Sequence, residues 1–318
     1  MRSGAFLLLA CMLSVPVGWA RAEDQDIEAP ASANESAKKS AGDEEYVSKT
    51  VFASEYPVRF ARRPLVLHEG MVRADGRLTI AGVSGSGTFS SFDIGGAVSP
   101  IDKLELGLST ELTGAIPAPG GIGLVSVVFS PDASYGDIPV YGRYQFHQGD
   151  LFLAAVDLVL VLPSNTDFTL TAGLPMRIVE LFGLFTMDMN IEVRYRNGDK
   201  YAAFTSNPSS STADFTFSGA SIMNITDNGY VEIGGGVGVT NVGGGPGADN
   251  VVELPFFLGG GFTYAGSVLV DLFAQFGWNP LMTANQPTGR DTFNVADDWF
   301  VTLGATVHTR PLFGKYTK

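Results

Sequence analysis

Cysteine is nearly missing from this sequence: among 318 residues the single example is Cys11. It falls inside an N-terminal apolar run. Removal of that run would leave no thiol, which excludes disulfides, cysteine-zinc centres and cysteine nucleophiles from the rest of the chain. Charge is also scarce, at 17% of residues, where a soluble domain usually carries about a quarter. The balance is acidic, with a net charge of −13. No basic stripe exists to neutralise phosphates, so nucleic acid is excluded as a partner. Beyond the N-terminus there is no run of 18 apolar residues, which excludes membrane-spanning helices. What abounds is glycine (39 residues), phenylalanine (22) and tyrosine (10). That mixture points to β structure at an apolar boundary.

The N-terminus reads as an export signal. Arg2 precedes the apolar run Ala5–Val15, then come Gly18 and Ala20-Arg21-Ala22, a small-residue cleavage site before Glu23. Leu8-Leu9-Ala10-Cys11 loosely resembles a lipid-anchor processing site, but its position midway through the apolar run argues against that reading. Residues 23–55 hold nine acids, three bases and almost no large apolar residue before Val51. Such a composition cannot bury enough surface to offset its ordering entropy, so the expectation is a disordered acidic linker. Residues 56–70 place Arg59, Arg62 and Arg63 beside Pro64-Leu65-Val66-Leu67. They form either an ordered lead-in tucked against the remainder of the chain or a solvated basic segment. The expected organisation is therefore signal 1–22, linker 23–55, periplasmic lead-in 56–70, β domain 71–313 and tail 314–318.

From Met71 onward apolar residues recur at period 2, the strand signal. In FDIGGAVSPIDKLELGLSTEL (92–112), Phe92, Ile94 and Val98 share one face; after the turn, Leu104, Leu106, Leu108 and Leu112 do the same. Near the C-terminus, WFVTLGATVH alternates Trp299, Val301, Leu303, Ala305 and Val307 with a mostly polar set. The pattern gives about twelve strands (10–14 possible): 71–80, 92–99, 104–112, 138–146, 151–162, 168–177, 186–196, 214–223, 229–239, 251–262, 267–278 and 299–310. Most reach the 9–11 residues that cross a bilayer at a steep tilt. Connections alternate between short turns and mostly longer segments rich in Gly, Ser, Pro and Asn. A soluble sandwich has no reason for that rhythm. A transmembrane barrel does, and closure also removes the unpaired edges that hydrocarbon would penalise.

The signal, the alternating strands and hairpins such as AVSPIDKLELGL resemble Gram-negative outer-membrane β-barrels of the porin and solute-channel type, over about residues 65–313. The resemblance implies an all-β, closed antiparallel transmembrane barrel with short periplasmic turns, long extracellular loops and assembly by the barrel assembly machinery. The sequence departs from that pattern in three places. Phe313 is followed by five further residues instead of ending the chain. Pro139, Pro175 and Pro255 fall inside strands. Leu269 and Phe273 would share the lumen face with Asp271 and Gln275.

With apolar residues facing lipid, the lumen receives Glu105, Glu111, Tyr141, Arg143, Gln145, Asp157, Arg177, Asp188, Glu192, Arg194, Glu232, Asp271, Gln275, His308 and Arg310. Asp157, inside LFLAAVDLVLVLP, has to point inward because a lipid-facing carboxylate at mid-membrane is costly. These charges either form a constriction that selects ions or small polar solutes, or brace and fill a narrow barrel. Trp278, Trp299 and Tyr195 fall at strand ends and suit an interface girdle. No catalytic residues are expected: His68, His147 and His308 lie ahead of the barrel or at its periplasmic end, whereas barrel hydrolases work near the outer leaflet. Glycine clusters such as Gly234-Gly235-Gly236 and Gly259-Gly260-Gly261 lack a strand-to-helix setting, so no cofactor is expected. Asp249, Asp291 and Asp297-Asp298 match no calcium-loop spacing, and no metal is expected. The expected partners are outer-membrane lipid and small solutes or ions. A non-conducting structural or adhesive barrel and a secreted soluble β protein remain as alternatives.

Overall fold

The computed structural model describes residues 56–83, 87–108, 125–130, 134–135, 138–162, 169–181, 185–196, 212–242, 251–284, 292–293 and 298–314. The expected signal 1–22, the linker 23–55, residues 315–318 and Glu111 lie outside them.

Among the described residues, the strands in chain order are β1 (Val72–Val83), β2 (Gly87–Ile101), β3 (Leu104–Gly107), β4 (Val125–Ser130) and β5 (Ser134–Tyr135). They continue with β6 (Ile138–Gln148), β7 (Phe152–Leu162), β8 (Thr169–Leu181), β9 (Phe185–Arg196) and β10 (Thr212–Asn224). The last are β11 (Gly229–Val242), β12 (Val251–Ala265), β13 (Leu269–Ala284), β14 (Thr292–Phe293) and β15 (Trp299–His308). All join one antiparallel sheet. Twelve of them close into a ring, β1–β2–β3–β6 through β13–β15 and back to β1. Closure runs from Arg73 opposite His308 to Ala81 opposite Phe300. With no open edge in the ring, backbone groups are satisfied within the wall.

The burial pattern is that of a soluble protein turned inside out. Along β7, Leu158 is 57% exposed while its neighbour Asp157 is 3% exposed. Along β6, Ile138, Val140, Tyr144 and Phe146 are exposed, and Tyr141, Arg143 and Gln145 are buried. Apolar side chains standing outward and charged ones buried inward require a non-aqueous exterior. A soluble β protein is thereby excluded.

All twelve expected strands are present, with differences at their ends. The link between β1 and β2 is only 84–86, because the two strands stay paired up to Val83 and Gly87. The expected loop over 81–91 is thus mostly strand. Within the 114–137 connection, β4 pairs with the upper half of β2 and β5 pairs with β4. Likewise β13 runs on to Ala284 and pairs with β14. The alternating pattern continues past the length a bilayer needs, so the ladder continues with it.

Of the five prolines in the described strands, the three named above sit at a break or near an end of the ladder. Pro255 sits in the register shift between Leu254 and Phe256. Pro175 falls in the gap between the pairs Ala154–Met176 and Asp157–Gly173. Pro139 is the second residue of β6. Each lacks a donor that the ladder does not require.

Strand glycines, expected to permit curvature, have a second use here. Inward aromatics stand directly opposite glycines on the next strand: Tyr141 opposite Gly107, Tyr230 opposite Gly261, Phe257 opposite Gly234 and Phe273 opposite Gly304. A Cβ at any of these glycines would run into the facing ring. The rings therefore lie against the wall, each over its facing glycine. Gly304→Val is expected to cost about 1–3 kcal/mol by overpacking, read as a lower urea midpoint in lipid. Adding Phe273→Ala should recover most of the loss, and no recovery would show that the ring contact is not the cause.

Candidate functional site

Residues 56–70, ahead of β1, cross the inside of the ring at the end where the short turns lie. Pro57 and Pro64 prevent a continuous helix, and only one 3-10 turn forms, Phe60–Arg62. Arg59 and Arg63, which flank it, have extended backbone, while the segment bends at Leu65 and Val66 and turns at Glu69 and Gly70. At its C-terminal end Gly70 adopts φ +83, and a Cβ there would overlap the Phe313 carbonyl. Leu312 N–H donates to Gly70 O at 2.9 Å. This link requires glycine on both counts.

Side chains predicted to face the lumen hold the segment. Arg63 is buried at 4% exposure. It forms a two-point ion pair with Asp271, with Nη2 to Oδ1 at 2.7 Å, and Nη2 also donates to Thr263 Oγ1 at 3.2 Å. Thr263 Oγ1 in turn donates to Asp271 Oδ1 at 2.7 Å. His308 Nε2 lies 3.0 Å from Asp271 Oδ2. The Arg63 guanidinium also rests 5.3 Å from the Phe60 ring centre.

The main chain of the segment is held as well. Arg177 donates to Arg63 O at 2.6 Å, and Arg143 donates to Leu65 O at 2.9 Å. Leu65 N–H donates to Gln145 Oε1 at 3.0 Å, and Leu67 N–H to Glu105 Oε2 at 2.9 Å. At the rim, Arg59 bonds Asp227 and Arg62 bonds Glu180. Glu180 adopts φ +46, an unusual conformation for a residue with a side chain, at a register shift in β8 that turns its carboxylate to Arg62.

Apolar packing completes the seal. Tyr56 and Leu67 pack with Met71, Ala97, Tyr141 and Val159. Leu65 packs on Leu153 and Ala155. Ala61 packs with Ile222 and Tyr230, and Phe60 stacks on Tyr230 at 4.4 Å between ring centres. Next to the segment lies a cavity of about 90 Å³ with Arg73, Arg77, Glu232 and Thr306 in its wall, room for a few water molecules.

Most sequence-predicted lumen residues are brought together here. Arg143 pairs with Asp157 (Nε to Oδ1, 2.7 Å) and Arg177 with Asp188 (2.6 Å), all four side chains at 3% exposure or less. Arg143 stands directly opposite Asp157, and Arg177 opposite Asp188, on neighbouring strands. Glu105 accepts from Tyr141. Farther up, Arg194 pairs with Glu192 at 2.9 Å, and Gln275 donates to Glu232 at 2.7 Å. Leu269 and Phe273 do share the inner face with Asp271.

Arg310 is a correction. It follows the end of β15 and is exposed, because the inward alternation stops at His308 and Thr309 N–H turns to Val72 O. His147 is exposed at the end of β6 and lies against Phe152. His68 meets Tyr56 edge-on.

Sequence reasoning missed Arg63 as the residue the lumen holds, and it missed Arg73, Asp75 and Arg77 on the inner face of β1. Arg73 pairs with Asp75 at 3.0 Å. The signal for β1 was present, since charges at 73, 75 and 77 follow period 2. Trp278, Trp299 and Tyr195 stand on the outward face at the loop end. Trp278 lies opposite Trp299 in register and packs on Phe276 at 4.7 Å. At the turn end Phe146, Phe152, Phe185 and Tyr264 are exposed.

A closed ring with an apolar exterior, a charged interior and short turns at one end defines the class: a transmembrane β-barrel of the outer-membrane type. In fold the chain is similar to an outer membrane channel from Pseudomonas putida F1, with a TM-score of 0.50 and 10% identity over 76% of this chain and 97% of that one. A NanC porin structure aligns with a TM-score of 0.47 and 8% identity over 73% of this chain and 98% of that one. No family model matches the sequence, and no curated protein sequence matches it.

Proposed function

We propose that this protein is exported through residues 1–22, assembled into the outer membrane by the barrel assembly machinery, and provides a passive path for small polar solutes or ions. One observation carries the reading: a wall apolar on its lipid side encloses a charged interior that the chain's own residues 56–70 cross at one end, the arrangement of a path closed by a plug. The short turns and residues 56–70 then lie at the periplasmic end. Trp278, Trp299 and Tyr195 form the girdle at the outer interface, facing Tyr264 and its neighbours across the lipid band. On β12, Phe256 and Tyr264 are eight residues apart, which at about 3.3 Å per residue and a tilt near 40° spans roughly 20 Å of bilayer.

Residues 56–70 set the bore, and Asp157, Arg177, Asp188 and Arg143 act through them as the constriction. No catalytic role is assigned to the histidines, since His68, His147 and His308 all lie at the turn end of the ring. In planar bilayers the full chain should show small, infrequent conductance steps, and a chain lacking 56–69 should show larger and more persistent ones. A correctly folded deletion, judged by a heat-modifiable gel band, that passes no current would defeat the channel reading.

A further inference from the structure

We propose that the Asp271 pocket is an acid-operated latch: a proton taken up by His308 displaces Arg63 from Asp271 and releases residues 56–70 from the lumen. The effect on current rests on the channel reading above; the release of the segment does not.

The pocket has no spare capacity for a further cation. Asp271 Oδ1 accepts from Arg63 Nη2 and from Thr263 Oγ1, each at 2.7 Å. Its Oδ2 accepts from Arg63 Nη1 and lies 3.0 Å from His308 Nε2. These four partners fill the acceptor sites of one carboxylate. An ionised carboxylate has no proton to give, so the bond to His308 requires the imidazole proton on Nε2. The ring nitrogen left to take a second proton is Nδ1, which is buried and has no hydrogen-bond partner among the described residues. A proton there makes the ring a cation whose Nε2 lies 3.5 Å from Arg63 Nη1, and it creates a buried N–H without an acceptor.

The other charges around the ring do not relieve this. Arg63 and Tyr56 face His308 from the segment, with the Tyr56 ring centre 5.5 Å away. Asp271 faces it from β13, and Arg73 stands opposite it on β1. Two further carboxylates, Asp75 and Glu105, are engaged by Arg73 at 3.0 and 3.4 Å. His68 meets the same Tyr56 ring edge-on at 5.4 Å. Withdrawal of 56–70 removes Arg63 and Tyr56 and opens the imidazole to water. The protonated ring then replaces Arg63 as the cation of Asp271. Proton uptake and a seated Arg63 therefore oppose each other, and by linkage a fall in pH shifts the balance towards the withdrawn segment.

The test is hydrogen exchange read by mass spectrometry on the full chain in detergent micelles, following the amides of 56–70 at about pH 7.5 and about pH 5. At each pH the wild type is compared with His308→Gln, whose side-chain amide can donate to Asp271 but takes up no proton. The pH dependence of the exchange chemistry cancels in that ratio. The segment amides of the wild type should exchange within about twofold of the variant at the higher pH and about tenfold faster than it at the lower one. Should His308→Gln show no heat-modifiable band, His308→Asn carries the same expectation. His68→Gln should retain the acid response. A ratio that does not change with pH, or an acid response lost in His68→Gln, would each overturn the proposal. Because exchange needs no current, a segment released by acid in a barrel that never conducts would defeat only the channel reading. Conversely, a conducting barrel with an acid-insensitive segment would defeat only the latch.

Discussion

Arg63→Ala is expected to convert a mostly closed barrel into a mostly open one. The substitution leaves Asp271 buried against Thr263 and His308 without its guanidinium. Truncating one member of a buried, hydrogen-bonded charge pair costs about 2–5 kcal/mol. That cost falls on the arrangement with 56–70 in place, since withdrawal of the segment lets water reach Asp271. At about 1.4 kcal/mol per tenfold, the balance between seated and withdrawn segment moves by roughly 30-fold to several thousand-fold. Single-channel recording at fixed voltage reads it as open time. Asp271→Asn should act in the same direction. Arg59→Ala is the contrast, because Arg59 and Asp227 pair at side-chain exposures of 41% and 76%. Exposed pairs are worth at most about 1 kcal/mol. If Arg59→Ala opened the barrel as much as Arg63→Ala, the Asp271 pocket would not be what holds the segment.

Arg177→Met is expected to produce the largest loss of stability. Arg177 and Asp188 are each at 1% side-chain exposure, so the variant strands a buried carboxylate. Such a change costs about 3–5 kcal/mol, while replacing both partners by apolar residues of similar volume is often close to neutral. Arg177→Met/Asp188→Leu should therefore unfold in urea much nearer the wild-type midpoint than Arg177→Met does. The double variant still lacks the donor to Arg63 O, so it should open more often than wild type. Stability and open time thus separate the bracing role of the pair from its role in holding the segment. A double variant as unstable as the single would show that the ion pair is not the source of the loss.

Much of this was legible in the sequence for a simple reason. Strand side chains alternate, so a residue such as Asp157 within an apolar run can point only one way once the exterior is lipid. Parity alone placed Arg143, Asp157, Arg177 and Asp188 inside. Cross-strand partners were not legible, because pairing Arg143 with Asp157 needs the register across the Gly149–Leu151 turn. Strand ends were misplaced where alternation outruns the bilayer, as at Gly87 and Ala284. The occupied lumen was hidden for a different reason. Residues 56–70 have neither period 2 nor period 3.6, and their contacts reach partners as far away as Asp271 and His308, a distance no local pattern encodes. What could be read was the mismatch of Arg59, Arg62 and Arg63 beside Pro64-Leu65-Val66-Leu67, a set of charges and apolar groups that each needed a partner elsewhere.

The link at Gly70 has a consequence for reseating. Because Arg63 is joined to β1 by only a few residues, it faces Asp271 at an effective concentration on the order of millimolar or above. A segment that leaves the lumen stays beside its own pocket, so openings are expected to end by recapture at a rate set by the shortness of the tether.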